Sequence, residues 1–285
     1  MADPSLLPPP PEHPVPPEPS RRAVFLALTA VFVLLGATAV EAVSRTPAPV
    51  ATVSSPRVPA PSPTFAAGAF RFFSTHGDGT PFRWDPCGSI HFVVNPAGGP
   101  PAGVTDAREA VRRISEASGM PWIYGGTSAV TPEDQLQSFF RPPPAGQEWP
   151  PVLIAFVDRS RFSSLLATFG GGSPQHVLAF GLPTPGYEAL SDRYVSGEVV
   201  VNASQDMTPG FGTRYSLGVV LMHELGHVMG LAHVTDPREL MFSGPGVVPP
   251  QTDWGPGDLL GLQQVGRGSS CGATPAGSLT PSTSP

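Results

Sequence analysis

The eleven residues HELGHVMGLAH at 223–233 constrain this chain more than any other segment. Two of the histidines, His223 and His227, are four residues apart, so a helix would place both imidazoles on one face, one turn apart. Glu224 would be rotated by about 100° from His223 and could lie beside a metal ion without ligating it. The segment therefore predicts a helix that presents two metal ligands and an adjacent carboxylate.

The remainder of the segment predicts where the third ligand comes from. Gly230 tolerates the left-handed backbone conformation that ends a helix and turns the chain. Such a turn would bring His233 back toward the same ion as His223 and His227. Three protein ligands leave a fourth position open for water, as a catalytic zinc site requires. An isolated histidine is usually a surface or core side chain, but three in this spacing favour a metal site.

The motif resembles the extended zinc-binding motif of the metzincins, and the Leu-Met-Phe sequence around Met241 resembles their Met-turn. Within that clan the similarity is greatest to the matrixins, the matrix-metalloproteinase type. The resemblance implies an α+β, zincin-like fold: a twisted mixed sheet with an active-site helix and a C-terminal helix. It also implies a zinc-dependent endopeptidase with one catalytic Zn²⁺ and Glu224 as the general base.

Two further segments are similar to matrixin sequences. The Val-Leu-Ala-Phe sequence at 177–180 resembles the substrate-aligning edge strand, which implies that an extended peptide pairs with the backbone of Leu178 and Ala179. Asp258 lies where the family has an acidic residue that supports the Met-turn. A second structural Zn²⁺ or a structural Ca²⁺ stays open. His176 and Asp158 are candidate ligands, although ordinary surface positions are the simpler interpretation.

The N-terminal part of the chain predicts export from the cytoplasm. Two arginines, at 21 and 22, precede an uncharged and mostly apolar run at 23–40, about 27 Å long as a helix and just able to span a bilayer. The positive-inside rule places the following residues outside. The run is either an anchor in the cell membrane or a cleaved signal segment that leaves a secreted protein.

Composition divides the chain into five parts and limits its partners. We predict a disordered Pro-rich cytoplasmic tail (1–20), the anchor or signal (21–43), a Pro/Ser/Thr stalk (44–66), the metallopeptidase domain (67–271) and a disordered tail (272–285). The net charge is −6 and no basic block is present, which argues against nucleic acid and favours a protein or peptide substrate.

The cysteine count leaves two interpretations. The chain has two cysteines, Cys87 and Cys271, near the two ends of the expected domain. In an oxidising compartment they would form one disulfide; otherwise they are two unrelated thiols.

Hydrophobic periodicity and turn signals predict the order β-α-β-β-β-β-α-α. The predicted strands are 90–95, 122–124, 152–157, 175–180 and 198–202, and the predicted helices are 104–118, 215–229 and 257–265.

Two other functions compete with the endopeptidase. One is a non-catalytic zinc-binding surface module on a metzincin scaffold, which Glu224 argues against because a structural site does not require a carboxylate there. The other is a metallohydrolase that acts on a non-peptide amide.

Overall fold

A computed structural model describes residues 69–169, 177–186, 193–243 and 251–267. These residues form an α+β domain, as the sequence predicts. The helices are α1 (Gly103–Ser118), α2 (Pro132–Phe140), α3 (Arg159–Thr168), α4 (Leu217–Met229) and α5 (Pro256–Val265). The strands are β1 (Arg71–Phe72), β2 (Ile90–Asn95), β3 (Trp122–Thr127), β4 (Val152–Val157), β5 (Ala179–Pro185), β6 (Tyr194–Asn202) and β7 (Leu231–Ala232).

Five strands form a mixed sheet in the order β3-β2-β4-β6-β5. The first four run parallel, and β5 is antiparallel to β6 at the edge. All six residues of β4 are buried, as expected for a parallel strand with both sheet faces covered. One face packs on a core that includes α1 and α4, and the other packs on the aromatic and leucine side chains of α2 and α3.

The α4 helix runs through the larger core. Twelve of its 13 residues are buried, which is typical of a helix enclosed on all sides. The indole Nε1–H of Trp84 donates to the Val228 carbonyl over 3.0 Å, so the segment before β2 is tied to the end of this helix.

Two helices were missed by sequence reasoning, although both carry start signals. Thr131 forms a capping box with Asp134 ahead of Pro132, and Asp158 accepts a hydrogen bond from the Arg161 N–H to cap α3. Both helices are short, nine and ten residues, so their periodic patterns are weak. They close the sheet face opposite α4.

Several boundaries differ from the predicted ones. The helix expected from residue 215 begins at Leu217, because Ser216 is its N-cap residue and closes a turn by donating its N–H to Thr213 O over 2.9 Å. The strand expected at 175–180 is at Ala179–Pro185. Two prolines, Pro183 and Pro185, obscured its end in the sequence, but an edge strand tolerates proline.

The short strands β1 and β7 were also not predicted. They form a separate antiparallel pair, with Arg71 opposite Ala232 and Phe72 opposite Leu231. Strands of two residues carry no periodicity for sequence reasoning to find.

Several sequence predictions fall outside the described residues. The predicted tails, the anchor or signal at 21–43, the stalk at 44–66, His176 and Cys271 all lie there. Cys87 lies within the described residues and is not a free thiol. Its pairing with Cys271 stays a prediction. Across the described ranges, none of the helices has the length and apolarity needed to cross a membrane.

Candidate metal centre and active site

Three imidazoles converge at the C-terminal end of α4. His223 and His227 project from the helix, and His233 follows β7. The Nε2 atom of His233 lies 3.0 Å from that of His223 and 3.1 Å from that of His227. The three side chains can each direct one nitrogen to a common point, since these atoms all lie within 4.8 Å of one another.

Gly230 makes the turn between the second and third histidines. Its φ of 110° lies in the left-handed region, which side chains other than glycine rarely adopt. A Cβ atom at this position would also lie 2.8 Å from Cε2 of Tyr194. The turn therefore requires glycine for its backbone conformation and for space, as the motif predicts.

His233 is held from both sides by backbone pairing. On one side β7 pairs with β1, and the Phe73 N–H donates to Gly230 O over 2.7 Å. On the other side Val234 donates its N–H to Met241 O over 3.0 Å and accepts from Ser243 N over 3.1 Å. The third imidazole is thus fixed between the N-terminal strand and the Met-turn.

Hydrogen bonds to backbone carbonyls set the tautomers of two imidazoles. His223 Nδ1 lies 2.8 Å from Leu240 O, and His227 Nδ1 lies 2.8 Å from Leu231 O. Because a carbonyl oxygen can only accept, each Nδ1 carries the proton and each Nε2 presents a lone pair. A neutral His233 has one N–H at most, so it cannot donate a hydrogen bond to the Nε2 lone pairs of both His223 and His227. A cation among the three nitrogens satisfies them together, and three imidazoles are a donor set suited to Zn²⁺.

The imidazoles are held neutral, which is the state that binds a metal. Burial lowers the pKa of His223 to about 4; the bond to Leu240 opposes this shift and the charge of Arg214 adds to it. Burial and then the neighbouring His223 lower the pKa of His227 to about 3. Burial and the other two imidazoles lower the pKa of His233 well below its ordinary value.

Glu224 is buried where α4 packs against β5. Burial raises the pKa of its carboxyl to about 8, and a hydrogen bond from the Gly181 backbone opposes this shift. A cation at the three imidazoles would favour the ionised carboxylate. Gly181 permits the close approach, since a Cβ atom there would lie 2.2 Å from the backbone oxygen of Glu224.

The outer edge of β5 lies beside this carboxyl. Among the described strands, β5 pairs only with β6. The Leu178 carbonyl accepts from the Asn202 N–H over 2.8 Å and so points toward β6. Backbone groups alternate along a strand, so those of Ala179 point toward the free edge. Of the two residues that the sequence assigns to substrate alignment, Ala179 is the one whose backbone this geometry leaves available.

The Met-turn lies against the same helix. The Sδ atom of the buried Met241 lies 2.5 Å from where a Cβ atom of Gly226 would stand. The carboxylate of Asp258 accepts the backbone N–H groups of Leu240 over 2.5 Å and of Met241 over 3.4 Å. The support that the resemblance assigned to Asp258 is confirmed.

Sequence reasoning missed Glu239, a buried acid one residue before the Met-turn. One of its oxygens accepts the N–H groups of Gly257 over 2.8 Å and Asp258 over 2.9 Å, at the N-terminus of α5. Burial raises the pKa of Asp258 to about 6, and the charge of Glu239 contributes to this shift. An acidic residue in a loop gives no sequence signal for such a role.

The pairing of His176 and Asp158 at a second metal site stays a prediction. Asp158 caps α3, and His176 is not among the described residues. Within the ranges that the structure describes, the three histidines are the only group of three or more side chains placed to hold a metal ion.

Comparison with known families agrees with this site. The family model described as Matrixin, of the M10 peptidases, matches residues 173–265. The matched range contains the three histidines, Glu224, Met241 and Asp258. No curated protein matches the sequence.

Proposed function

Because the chain carries a matrixin-like metzincin domain, we propose that it is a zinc-dependent endopeptidase that hydrolyses peptide bonds in extracytoplasmic proteins. The matrixins are a zinc metallopeptidase family, so the match supports zinc chemistry at the three histidines. The role of Glu224, the peptide substrate and the extracytoplasmic setting are our proposals.

One observation carries the proposal. The three Nε2 atoms converge beside a buried carboxyl, and that carboxyl lies against the free edge of a strand. A purely structural zinc site does not need a buried acid next to it, because burial of a carboxyl that has only one hydrogen-bond donor is destabilising. The burial of Glu224 therefore favours catalysis over a non-catalytic zinc-binding module.

Each residue has a distinct task in the proposed reaction. His223, His227 and His233 would hold Zn²⁺, which as a Lewis acid polarises a carbonyl and lowers the pKa of water. The Glu224 carboxylate accepts a proton from the attacking water. The resulting carboxyl then donates that proton to the nitrogen of the departing amine. The Gly181 N–H and the packing of α4 on β5 hold that carboxylate in one orientation.

The free edge of β5 would align the substrate. An extended peptide can add to a sheet edge through main-chain hydrogen bonds, and the Ala179 backbone groups point to that edge. Pairing there would place one peptide bond of the substrate next to Glu224. Main-chain pairing accepts many sequences, which suits an endopeptidase that acts on proteins.

We propose an exported setting on the basis of the N-terminal sequence. The apolar run at 23–40, preceded by two arginines, would carry the domain out of the cytoplasm either as an anchor or as a cleaved signal. The substrate would then be a protein or peptide outside the cytoplasm.

The test is hydrolysis of denatured casein by the full chain, with and without a zinc chelator, beside Glu224→Gln. Loss of a general base lowers turnover by about 10²- to 10⁴-fold. We expect the turnover of Glu224→Gln to be lower than that of the wild type by a factor in that range. Elemental analysis should still find one zinc per chain. Glu148→Gln is the matched control, because Glu148 is exposed and should keep full activity.

Three outcomes can be told apart. Chelator-sensitive cleavage that is lost in Glu224→Gln supports the endopeptidase. Cleavage that Glu224→Gln retains would remove this residue from the mechanism. A folded protein that holds one zinc and cleaves neither casein nor small amides would contradict the enzyme and support the zinc-binding module.

A further inference from the structure

The Phe73 side chain lies between a metal-binding imidazole and the edge strand. Its ring centre is 6.1 Å from that of His227, in an edge-to-face arrangement. The side chain is half-buried, and it also packs against the cluster of apolar side chains that includes Phe180 and Leu182 of β5. Phe73 therefore presents an apolar surface beside both the metal centre and the strand that would align the substrate.

The backbone determines the end of β5 at which Phe73 lies. The Phe73 N–H donates to Gly230 O over 2.7 Å. The Gly230 turn packs on the ring of Tyr194, and Tyr194 pairs with Pro185, the last residue of β5. A substrate that runs along the free edge of β5 from Ala179 toward Pro185 would therefore pass Phe73.

Arg71 lies on the same face of β1 as Phe73. A Cβ atom at Gly261 of α5 would lie 3.1 Å from the Cβ atom of Phe70, so Phe70 faces α5. Successive side chains of a strand point to opposite faces. Arg71 and Phe73 alternate with Phe70 along the chain and therefore face away from α5, on the side where Phe73 meets His227.

The distance of Arg71 from the metal centre follows from strand pairing. Arg71 is directly opposite Ala232, and the Cα atoms of opposite residues in an antiparallel pair are about 4.5–5.5 Å apart. Ala232 precedes His233, and consecutive Cα atoms are about 3.8 Å apart. The Arg71 Cα atom is therefore within roughly 9 Å of the His233 Cα atom.

The guanidinium of Arg71 is accessible to a ligand. Arg71 is exposed, and no acidic side chain in the described ranges forms an ion pair with it. By contrast, Arg112 pairs with two glutamates on its own helix, and Arg161 pairs with Glu133. An exposed arginine is ordinary by itself, but this one puts a positive charge next to the proposed substrate path. A carboxylate is the complementary group, because a guanidinium binds it through paired hydrogen bonds.

We propose that Phe73 and Arg71 form a substrate subsite on one side of the scissile bond. Phe73 contacts an apolar side chain of the peptide, and Arg71 binds an acidic side chain about two residues farther from the metal centre. This spacing follows because side chains two residues apart in an extended chain share a face and are about 6.6 Å apart, as Arg71 and Phe73 are. The inference rests on the proposed peptidase function and deepens it by naming the class of peptide.

The test uses quenched fluorescent peptides of one sequence, blocked at both termini. One series places Leu or Ala, and a second places Glu or Gln, at each of four positions on either side of the cleaved bond. The readout is the ratio of kcat/KM for Leu over Ala, and for Glu over Gln, within each protein. For the wild type we expect about tenfold for Leu at one position. We expect about threefold for Glu two positions away on the same side, decreasing as the salt concentration rises.

Each substitution should remove one of the two preferences. Arg71→Gln should bring the Glu-over-Gln ratio close to one and keep the Leu preference, and Arg71→Glu should favour a Lys peptide over the Gln peptide. Phe73→Ala should bring the Leu-over-Ala ratio close to one and keep the Glu preference. If Phe73→Ala does not fold, the variants at the exposed Arg71 still decide the test.

Arg112→Gln and Phe140→Ala are the matched controls, because both side chains are exposed on other helices, and they should keep both ratios. Wild-type ratios near one at every position, with the peptides still cleaved, would overturn the inference and leave the peptidase intact. Leu and Glu preferences on opposite sides of the cleaved bond, or a Glu preference that persists in Arg71→Glu, would also overturn it.

Failure of the proposed function is separable from failure of the inference. If the wild-type protein cleaves nothing, fluorescence anisotropy of the same peptides on zinc-loaded Glu224→Gln measures binding alone. Tighter binding of the Glu peptide than the Gln peptide, abolished by adding Arg71→Gln, would support the inference without turnover. Equal binding would contradict it.

Discussion

Gly181→Ala tests whether the proposed active site requires the close packing of α4 on the edge strand. The new Cβ atom would lie 2.2 Å from the Glu224 backbone oxygen and 2.8 Å from its carbonyl carbon, whereas ordinary contacts begin near 3.4 Å. Strand and helix must therefore separate by about 1.2 Å. Both of these Glu224 atoms belong to the main chain, so no side-chain rotation can relieve the overlap.

Two consequences follow, and each has a magnitude. Overpacking of this kind costs roughly 1–3 kcal/mol, which lowers the Tm of a domain of this size by about 2–12 °C. Because Glu224 would move by about 1 Å relative to the free edge of β5, kcat/KM should fall by roughly 10²-fold. Zinc content should be unchanged, since the three atoms nearest to the new Cβ all belong to the Glu224 backbone and none to a histidine.

The assay combines thermal unfolding, zinc analysis and chelator-sensitive peptide hydrolysis on the full chain. Gly77→Ala is the matched control, because a Cβ atom at Gly77 meets nothing within 4 Å, and its Tm and activity should match the wild type. A Gly181→Ala protein with wild-type Tm and kcat/KM would refute the reasoning, because the helix and strand would then tolerate separation.

Two other predictions concern stability. Because burial raises the pKa of the Asp258 carboxyl from 3.8 to about 6, its protonated form stabilises the fold fully below pH 4, and this contribution is lost as the pH rises through about 6. Between pH 4 and 7 the free energy of unfolding should fall by up to about 3 kcal/mol more in the wild type than in Asp258→Asn; equal pH dependence in urea unfolding would contradict this. Trp84→Phe removes the Nε1–H bond to Val228 O and should cost about 1–3 kcal/mol. Trp122→Phe removes an indole nitrogen that has no described partner and should cost less in the same assay; the opposite order would refute the comparison.

The convergence of the three histidines was predictable because its information is local. The three histidines and a carboxylate lie within eleven residues, and the helical period with one glycine turn determines their geometry. The same holds for α1, whose amphipathic pattern and closing glycine predicted a helix within one residue of its observed limits, Gly103–Ser118.

The remainder of the site depends on contacts between distant segments, which no local pattern records. Glu239 binds the N-terminus of α5, and β1 pairs with β7. The local sequence around Glu239 and around β1 does not predict either contact. The predicted bounds of β5 were wrong because its prolines are typical of the end of a strand. These prolines are tolerated because β5 lies at the edge of the sheet, and that position depends on the topology of the whole sheet.

The pairing of β1 with β7 has a consequence for the order in which the site assembles. Arg71 and Ala232 are opposite one another and 161 residues apart in the chain, whereas His223 and His233 are ten apart. By loop-closure entropy alone, the distant contact costs on the order of 2–3 kcal/mol more to form than the local one. Contacts of such separation also slow folding.

His223 and His227 can therefore be in place on a formed α4 helix before β7, which leads to His233, has paired with β1. We expect His233 to be the last ligand fixed as the chain folds and the first released when its two distant segments part. Occupancy of the metal centre would thus report that the N-terminal strand has joined the domain.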